Sequence, residues 1–133
     1  MLGEWDHRHR AVAHATRSLE EATVEKHSLT ALARTQLEAA RASSTGRSAR
    51  TVYGGHEHQL RQTVIALLEG QVLDEHESPG EATLHVLDGR VRLFTDDVSW
   101  VGAPGDLLVI PASRHAVEAI KDSAILLTVV KAG

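Results

Sequence analysis

Histidine is the side chain through which this sequence could do most of its chemistry: nine of them stand among 133 residues. A neutral imidazole can ligate a metal or move a proton near neutral pH. His56 and His58 flank Glu57 directly after Gly54-Gly55. On a strand that spacing turns both rings to one side, whereas in a loop it is surface decoration. Arg61-Gln62 interrupts an apolar run, and a long polar pair in such a place needs partners. Two placements stay open. Either Arg61 lies outside in an ion pair and Gln62 inside against a strand end, or Gln62 touches a ligand or metal. His7, His9, His14 and His27 sit in an N-terminal segment of helical pattern and read as solvent-exposed. Asp96-Asp97 falls in a turn, where two carboxylates are solvated rather than catalytic. There is no Gly-rich phosphate loop, no G-x-S-x-G turn and no H-E-x-x-H pair.

The elements that must position these groups divide the chain in two. Val12, Ala15, Leu19 and Ala22 form one apolar stripe at helical spacing. Ser28 is a plausible N-cap for a second stripe of Leu29, Leu32, Ala33, Leu37 and Ala40, which stops at Ser43-Ser44-Thr45-Gly46. Both stripes are narrow and Ala-rich, so these helices need another surface to lie on. Residues 1–50 therefore read as a helical leader, with the first ten or so residues left unordered. From Thr51 the pattern changes to short runs of Val, Ile, Leu and Thr separated by turn signals: Leu60–Leu68, Gln71–His76, Ala82–Leu87, Arg90–Phe94, Ser99–Val101, Leu107–Ile110, Ala116–Ile120 and Ala124–Val130. Even spacing with no helical pattern between predicts an antiparallel sandwich or barrel over residues 51–133. Asp88-Gly89 is the sharpest hairpin signal among them. His85 is one step out of phase with Ala82, Leu84 and Val86 and so faces outward.

Composition narrows the classes. The chain has no cysteine, hence no disulfide framework and no thiolate metal site. No apolar run approaches the ~20 residues that cross a bilayer. With no secretory core at the N-terminus, the expected setting is the cytoplasm. Net charge is uneven: residues 1–50 carry 8 Lys+Arg against 6 Asp+Glu, and residues 51–133 carry 6 against 12. The acidic second part argues against nucleic acid as a partner there.

Two stretches resemble the motifs of the cupin superfamily. Gly70-Gln-Val-Leu-Asp-Glu-His76-Glu-Ser78-Pro-Gly-Glu81-Ala82-Thr-Leu-His85-Val-Leu-Asp-Gly89 is similar to the first, G-x5-H-x-H-x3,4-E-x6-G. Gly105-Asp-Leu-Leu-Val-Ile-Pro111-Ala-Ser-Arg-His115-Ala-Val-Glu-Ala119 resembles the second, G-x5-P-x-G-x2-H-x3-N. The whole chain resembles small single-domain actinobacterial cupins with a helical leader. That resemblance implies a mainly β fold, an antiparallel jelly-roll barrel, and a site at its mouth.

A full cupin metal site resembles three His and one Glu, and this chain departs from that set. His76 stands at the first His position and His115 at the third, but the second is Ser78. The Glu position, counted back from Gly89, is Ala82, with Glu81 one residue out of register. The resemblance therefore implies a small-molecule pocket around His76, His115 and Gln62. A divalent transition ion (Zn, Fe, Mn or Ni) would be held by His76 and His115, with Glu81, His58 and Gln62 as further candidates. Alternation groups Val72, Asp74 and His76 on one face, and His115, Val117 and Ala119 on one face. Three functions compete: a small-molecule binding barrel, a metal-dependent enzyme of dioxygenase or isomerase type, and a structural or regulatory protein without metal. The run Ala124–Val130 is apolar at almost every position, so both its faces should be covered, which predicts a homodimer.

Overall fold

The computed structural model describes residues 23–75 and 80–131. The first apolar stripe, with His7, His9 and His14, lies outside them. Helix α1 runs Leu29–Ala42. Ser28 caps it as its spacing predicts: its Oγ accepts a hydrogen bond from the Ala31 N–H at 3.2 Å. Nine strands follow: β1 Arg47–Tyr53, β2 Leu60–Leu67, β3 Val72–Glu75, β4 Gly80–Asp88, β5 Val91–Phe94, β6 Ser99–Gly102, β7 Leu107–Val109, β8 His115–Ala119 and β9 Ser123–Lys131.

The strands form two antiparallel sheets, one ordered β1-β2-β9-β4-β7 and the other β3-β8-β5-β6. Their inner faces supply one core. Ile65, Leu67, Ala82, Leu84, Val86 and Ile125 come from the larger sheet, and Val91, Leu93, Val117 and Ala119 from the smaller. Alternation makes this possible, since every second residue of each strand points between the sheets. The result is a jelly-roll barrel, as the spacing of the runs implies.

The first strand has no counterpart in the run pattern. β1 begins at Arg47, inside the stretch that reads as leader, and its residues Arg-Ser-Ala-Arg-Thr-Val-Tyr show little apolar alternation. It is an edge strand with most of its side chains in water, so pairing with β2 rather than burial holds it.

α1 lies on the outer face of the larger sheet. Ala33, Leu37 and Ala40 meet Ala66 and Ala124 there, with Leu68 and Leu87 around them. Small residues on both sides let helix and sheet approach closely. Gln36 is also buried on this face and accepts a hydrogen bond from the Ser48 hydroxyl of β1. The helix thereby covers β1, β2 and the start of β9, the end of the barrel away from the strand crossovers described next.

At one end the chain passes between the sheets twice, where β3 stops at Glu75 and β4 starts at Gly80, and where β7 stops at Val109 and β8 starts at His115. That end collects the start of β2, the start of β4, the end of β9 and the start of β8, by the pairings Leu60↔Val130, Glu81↔Val130 and Glu75↔His115. It is the mouth of the barrel.

Candidate functional site

His115 opens β8 at the mouth. Its phase is that of Val117 and Ala119, both in the core, so the ring enters the barrel wall from the inner face. It is 3% exposed. Its Nδ1–H donates to the Ser113 carbonyl at 2.9 Å. A carbonyl only accepts, so this bond fixes the proton on Nδ1 in the neutral ring and leaves the lone pair on Nε2. Nε2 is buried and has no hydrogen-bond partner among the described residues. An unmatched buried polar atom costs about 1–3 kcal/mol. The turn before β8 thus fixes a buried acceptor that no described residue answers. Against the outside of this strand lies a cleft of about 290 Å³ lined by Asp74, Asp96, Arg114 and His115 among others.

The other candidates scatter. Ala82, at the position where the motif would have Glu, is buried in the core with a methyl group only. Glu81 precedes it on the opposite face of β4 and is exposed. Hence it does not turn inward beside His115.

Gln62 is also on the outer face: its Nε2 donates to Thr128 Oγ1 at 3.2 Å, the residue directly opposite on β9. Core residues Ile65 and Leu67 set the inward phase of β2, and counting back by twos reaches Thr63 and Arg61. Arg61 therefore has the inward phase of β2 yet is exposed at the strand's start, while Gln62 is half-buried on the outer face.

His58 sits in the β1–β2 loop, exposed, stacked on Tyr53 with ring centroids 5.0 Å apart. It does not reach the mouth interior. Val72 and Asp74 pair with Glu118 and Ala116 and so share the outer face of the smaller sheet, while Leu73 packs on the core. His76 and Ser78 lie outside the described residues. Among the described residues, no three His, Asp or Glu side chains converge on one point.

Arg61 is exposed at the start of β2. Its cross-strand partner on β9 is Val129, which packs on the core and in turn pairs with Ala82 of β4. Directly opposed residues share a face. Arg61, Val129 and Ala82 therefore form one row on the inner wall at the mouth.

Comparison with known proteins agrees with this architecture. The cupin-domain family profile matches residues 63–131. A conserved protein of unknown function from Streptococcus pyogenes is 32% identical over 68% of this chain and 79% of its own, with a TM-score of 0.60. An RmlC-like cupin from Desulfovibrio desulfuricans is 25% identical over 81% of this chain and 97% of its own, with a TM-score of 0.64. A cupin superfamily protein from Desulfitobacterium hafniense shares the fold at 18% identity, over 65% of this chain and 78% of its own, with a TM-score of 0.59. No curated protein matches. With both motif regions inside the matched span and two sheets wrapped around one core, the chain belongs to the cupin family.

Proposed function

We propose that this chain is a small-molecule binding barrel whose ligand enters the mouth and donates a hydrogen bond to His115 Nε2. The observation that carries this reading is the buried, oriented Nε2, which has no partner among the described residues. Buried polar atoms in native proteins are almost always matched, so an orphan at the mouth of a barrel marks a place for a ligand group.

A divalent ion is the second reading, favoured by the same tautomer, since a metal takes the lone pair that the Nδ1 hydrogen bond exposes. His115 would be one donor and His76 the other, with water completing the shell. Ala82 contributes none. Two imidazoles hold such an ion weakly.

The test is a thermal-shift screen of small polar compounds, with and without Zn(II), Fe(II), Mn(II) and Ni(II), on the wild type and on His115→Ala. A ligand at about 100 times its Kd adds ~2.7 kcal/mol to folded-state stability, which moves Tm by several degrees. The shift should vanish in His115→Ala. Hits that persist undiminished in that variant would place the binding site elsewhere. For the ion, the double variant His76→Ala/His115→Ala should lose all uptake.

The reading extends to assembly. α1 covers only one end of the outer face of the larger sheet. At the mouth end the rows Leu60–Val130, Thr128–Thr83–Val109 and Leu126–His85–Leu107 lie beyond the helix. Leu107 is 60% and Val109 75% exposed on the edge strand β7. An apolar edge of this kind invites pairing. A second copy of the chain, related by a two-fold axis, would cover it. Sedimentation equilibrium at micromolar concentration should give twice the chain mass. A monomer mass throughout would rule the dimer out.

A further inference from the structure

The barrel opens a second time, along the seam between its two sheets. β6 ends the smaller sheet and β7 ends the larger one, and these two edge strands do not pair with each other. The chain passes from one to the other through a tight turn. In it the Asp106 carboxylate accepts the Ala103 N–H at 2.8 Å, and the Asp106 N–H donates to the Ala103 carbonyl at 2.9 Å. Next to the turn the sheets close up. A Cβ on Gly102 would stand 3.0 Å from Val86 Cγ2 and 3.2 Å from Leu108 Cδ1, so even a methyl group would crowd the contact.

Away from the turn the strands part. Between them lies a cavity of about 300 Å³ lined by Leu93, Trp100, Leu107, Leu108, Val109 and Pro111. Trp100 pairs with Leu93, and Leu108 with Leu84, both core residues, so Trp100 and Leu108 have the inward phase of their strands. Inward phase elsewhere in the smaller sheet means burial: Val91, Leu93 and Val117 are at most 1% exposed, whereas Trp100 is 46% exposed. The reason is topological. Among the described residues the larger sheet stops at β7, and no strand stands opposite β6 to cover the indole.

The walls decide what could fill the space. All six are apolar side chains. A carboxylate or ammonium placed among them would give up its hydration and gain no partner, which excludes charged occupants. The volume is at the small end for ligand pockets, with room for one ring and a short substituent. An aromatic ring gains more there than an aliphatic one, because the indole offers it offset or edge-to-face packing. A second copy of the chain suits the cavity less well. The dimer proposed above lies against Leu107 and Val109, which pair with His85 and Thr83 and have the outward phase of β7, whereas Trp100 and Leu108 face inward.

From this geometry we infer that the β6–β7 seam is a binding site for a small uncharged aromatic compound, with its ring against Trp100. The site is separate from the mouth reading and does not depend on His115, since its walls come from β5, β6, β7 and Pro111.

Trp100 is its own reporter, because the chain has one other tryptophan, Trp5. In Trp5→Phe, 4-bromobenzyl alcohol should quench Trp100 emission along a saturating curve, since the bromine quenches an indole it touches. Half-saturation is expected at about 1 mM or below. Benzyl alcohol, which lacks the heavy atom, should restore the emission by competition. The charged analogues 4-bromobenzoate and 4-bromobenzylammonium should bind at least about 10-fold more weakly. Trp100→Leu keeps the wall apolar and removes the ring; by calorimetry its affinity for 4-bromobenzyl alcohol should fall about 3- to 10-fold. Quenching that rises linearly to the solubility limit, charged probes that bind as well as the alcohol, or undiminished affinity in Trp100→Leu would each overturn the assignment. So would an indole that the probe reaches only after dilution to monomer, which would make a second copy the occupant.

Discussion

Replacing Gly89 by alanine should lower the unfolding free energy by more than about 3 kcal/mol, a large part of the 5–15 kcal/mol that holds a domain of this size together. Two causes act at once. Gly89 has φ +81°, a conformation that costs an L residue of order 1 kcal/mol or more. Its Cβ would also lie 2.3 Å from the Asp122 carbonyl oxygen, 2.4 Å from Ser123 Oγ and 2.7 Å from Ser123 Cα. These are not yielding neighbours. Ser123 is buried, and its hydroxyl accepts from Arg90 N at 3.0 Å and donates to Lys121 O at 2.6 Å. Making room means moving the start of β9, the strand that pairs with both β2 and β4. Gly70→Ala is the control: φ is +87° there, but no atom lies within 4 Å of the added Cβ. It should cost only the conformational part, about 1 kcal/mol. Urea unfolding of both variants decides the matter, and equal losses would show that the contact at Asp122–Ser123 yields.

Asp88-Gly89 was legible as a turn, because its chemistry is local, but not as the hairpin expected: β4 and β5 lie in different sheets and do not pair, and only Gly89 takes a positive φ. The Ser28 cap and most strand bounds between Leu60 and Val130 were legible for the same local reason. Harder cases arose where two surfaces compete for one strand. In β2, Val64 and Ala66 are buried outward, Ala66 beneath the helix, while Ile65 and Leu67 are buried in the core. Four consecutive buried residues erase the period of two, so nothing local sets the phase of Arg61 and Gln62. Only the pairing with β9 does, and pairing is a long-range property. β1 was hidden for the opposite reason, since an edge strand with exposed side chains shows no apolar run at all. Of the candidate site, His115 at the mouth followed from its motif. The scatter of Gln62, Glu81 and His58 away from it did not. Each of the three sits on a face or loop whose direction depends on sheet curvature and register rather than on its neighbours in sequence.

His115→Leu should cost the protein its ligand and little of its stability. Buried imidazole and isobutyl groups are of similar size, so the substitution leaves no large cavity, unlike His115→Ala. It removes one hydrogen bond, from Nδ1–H to the Ser113 carbonyl, worth about 1 kcal/mol. Ser113 is exposed, so water can take over at that carbonyl. The substitution also removes the unmatched Nε2, whose burial costs about 1–3 kcal/mol. The balance runs from neutral to a gain of roughly 2 kcal/mol. A ligand that donates to Nε2 loses its partner at the same time, and its affinity should fall about tenfold or more. Urea unfolding and ligand titration on one preparation would read both quantities. A loss of more than about 2 kcal/mol in stability, with ligand affinity untouched, would make His115 a structural residue of the β8 turn. The opposite result, a barrel at least as stable and unable to bind, is what a residue kept for its ligand should give. Val117 and Ala119, next on the same face of β8, are aliphatic and in the core, so an aliphatic side chain suits that face. On packing alone the histidine is the poorer choice, and the unanswered lone pair is the physical reason to expect a ligand there.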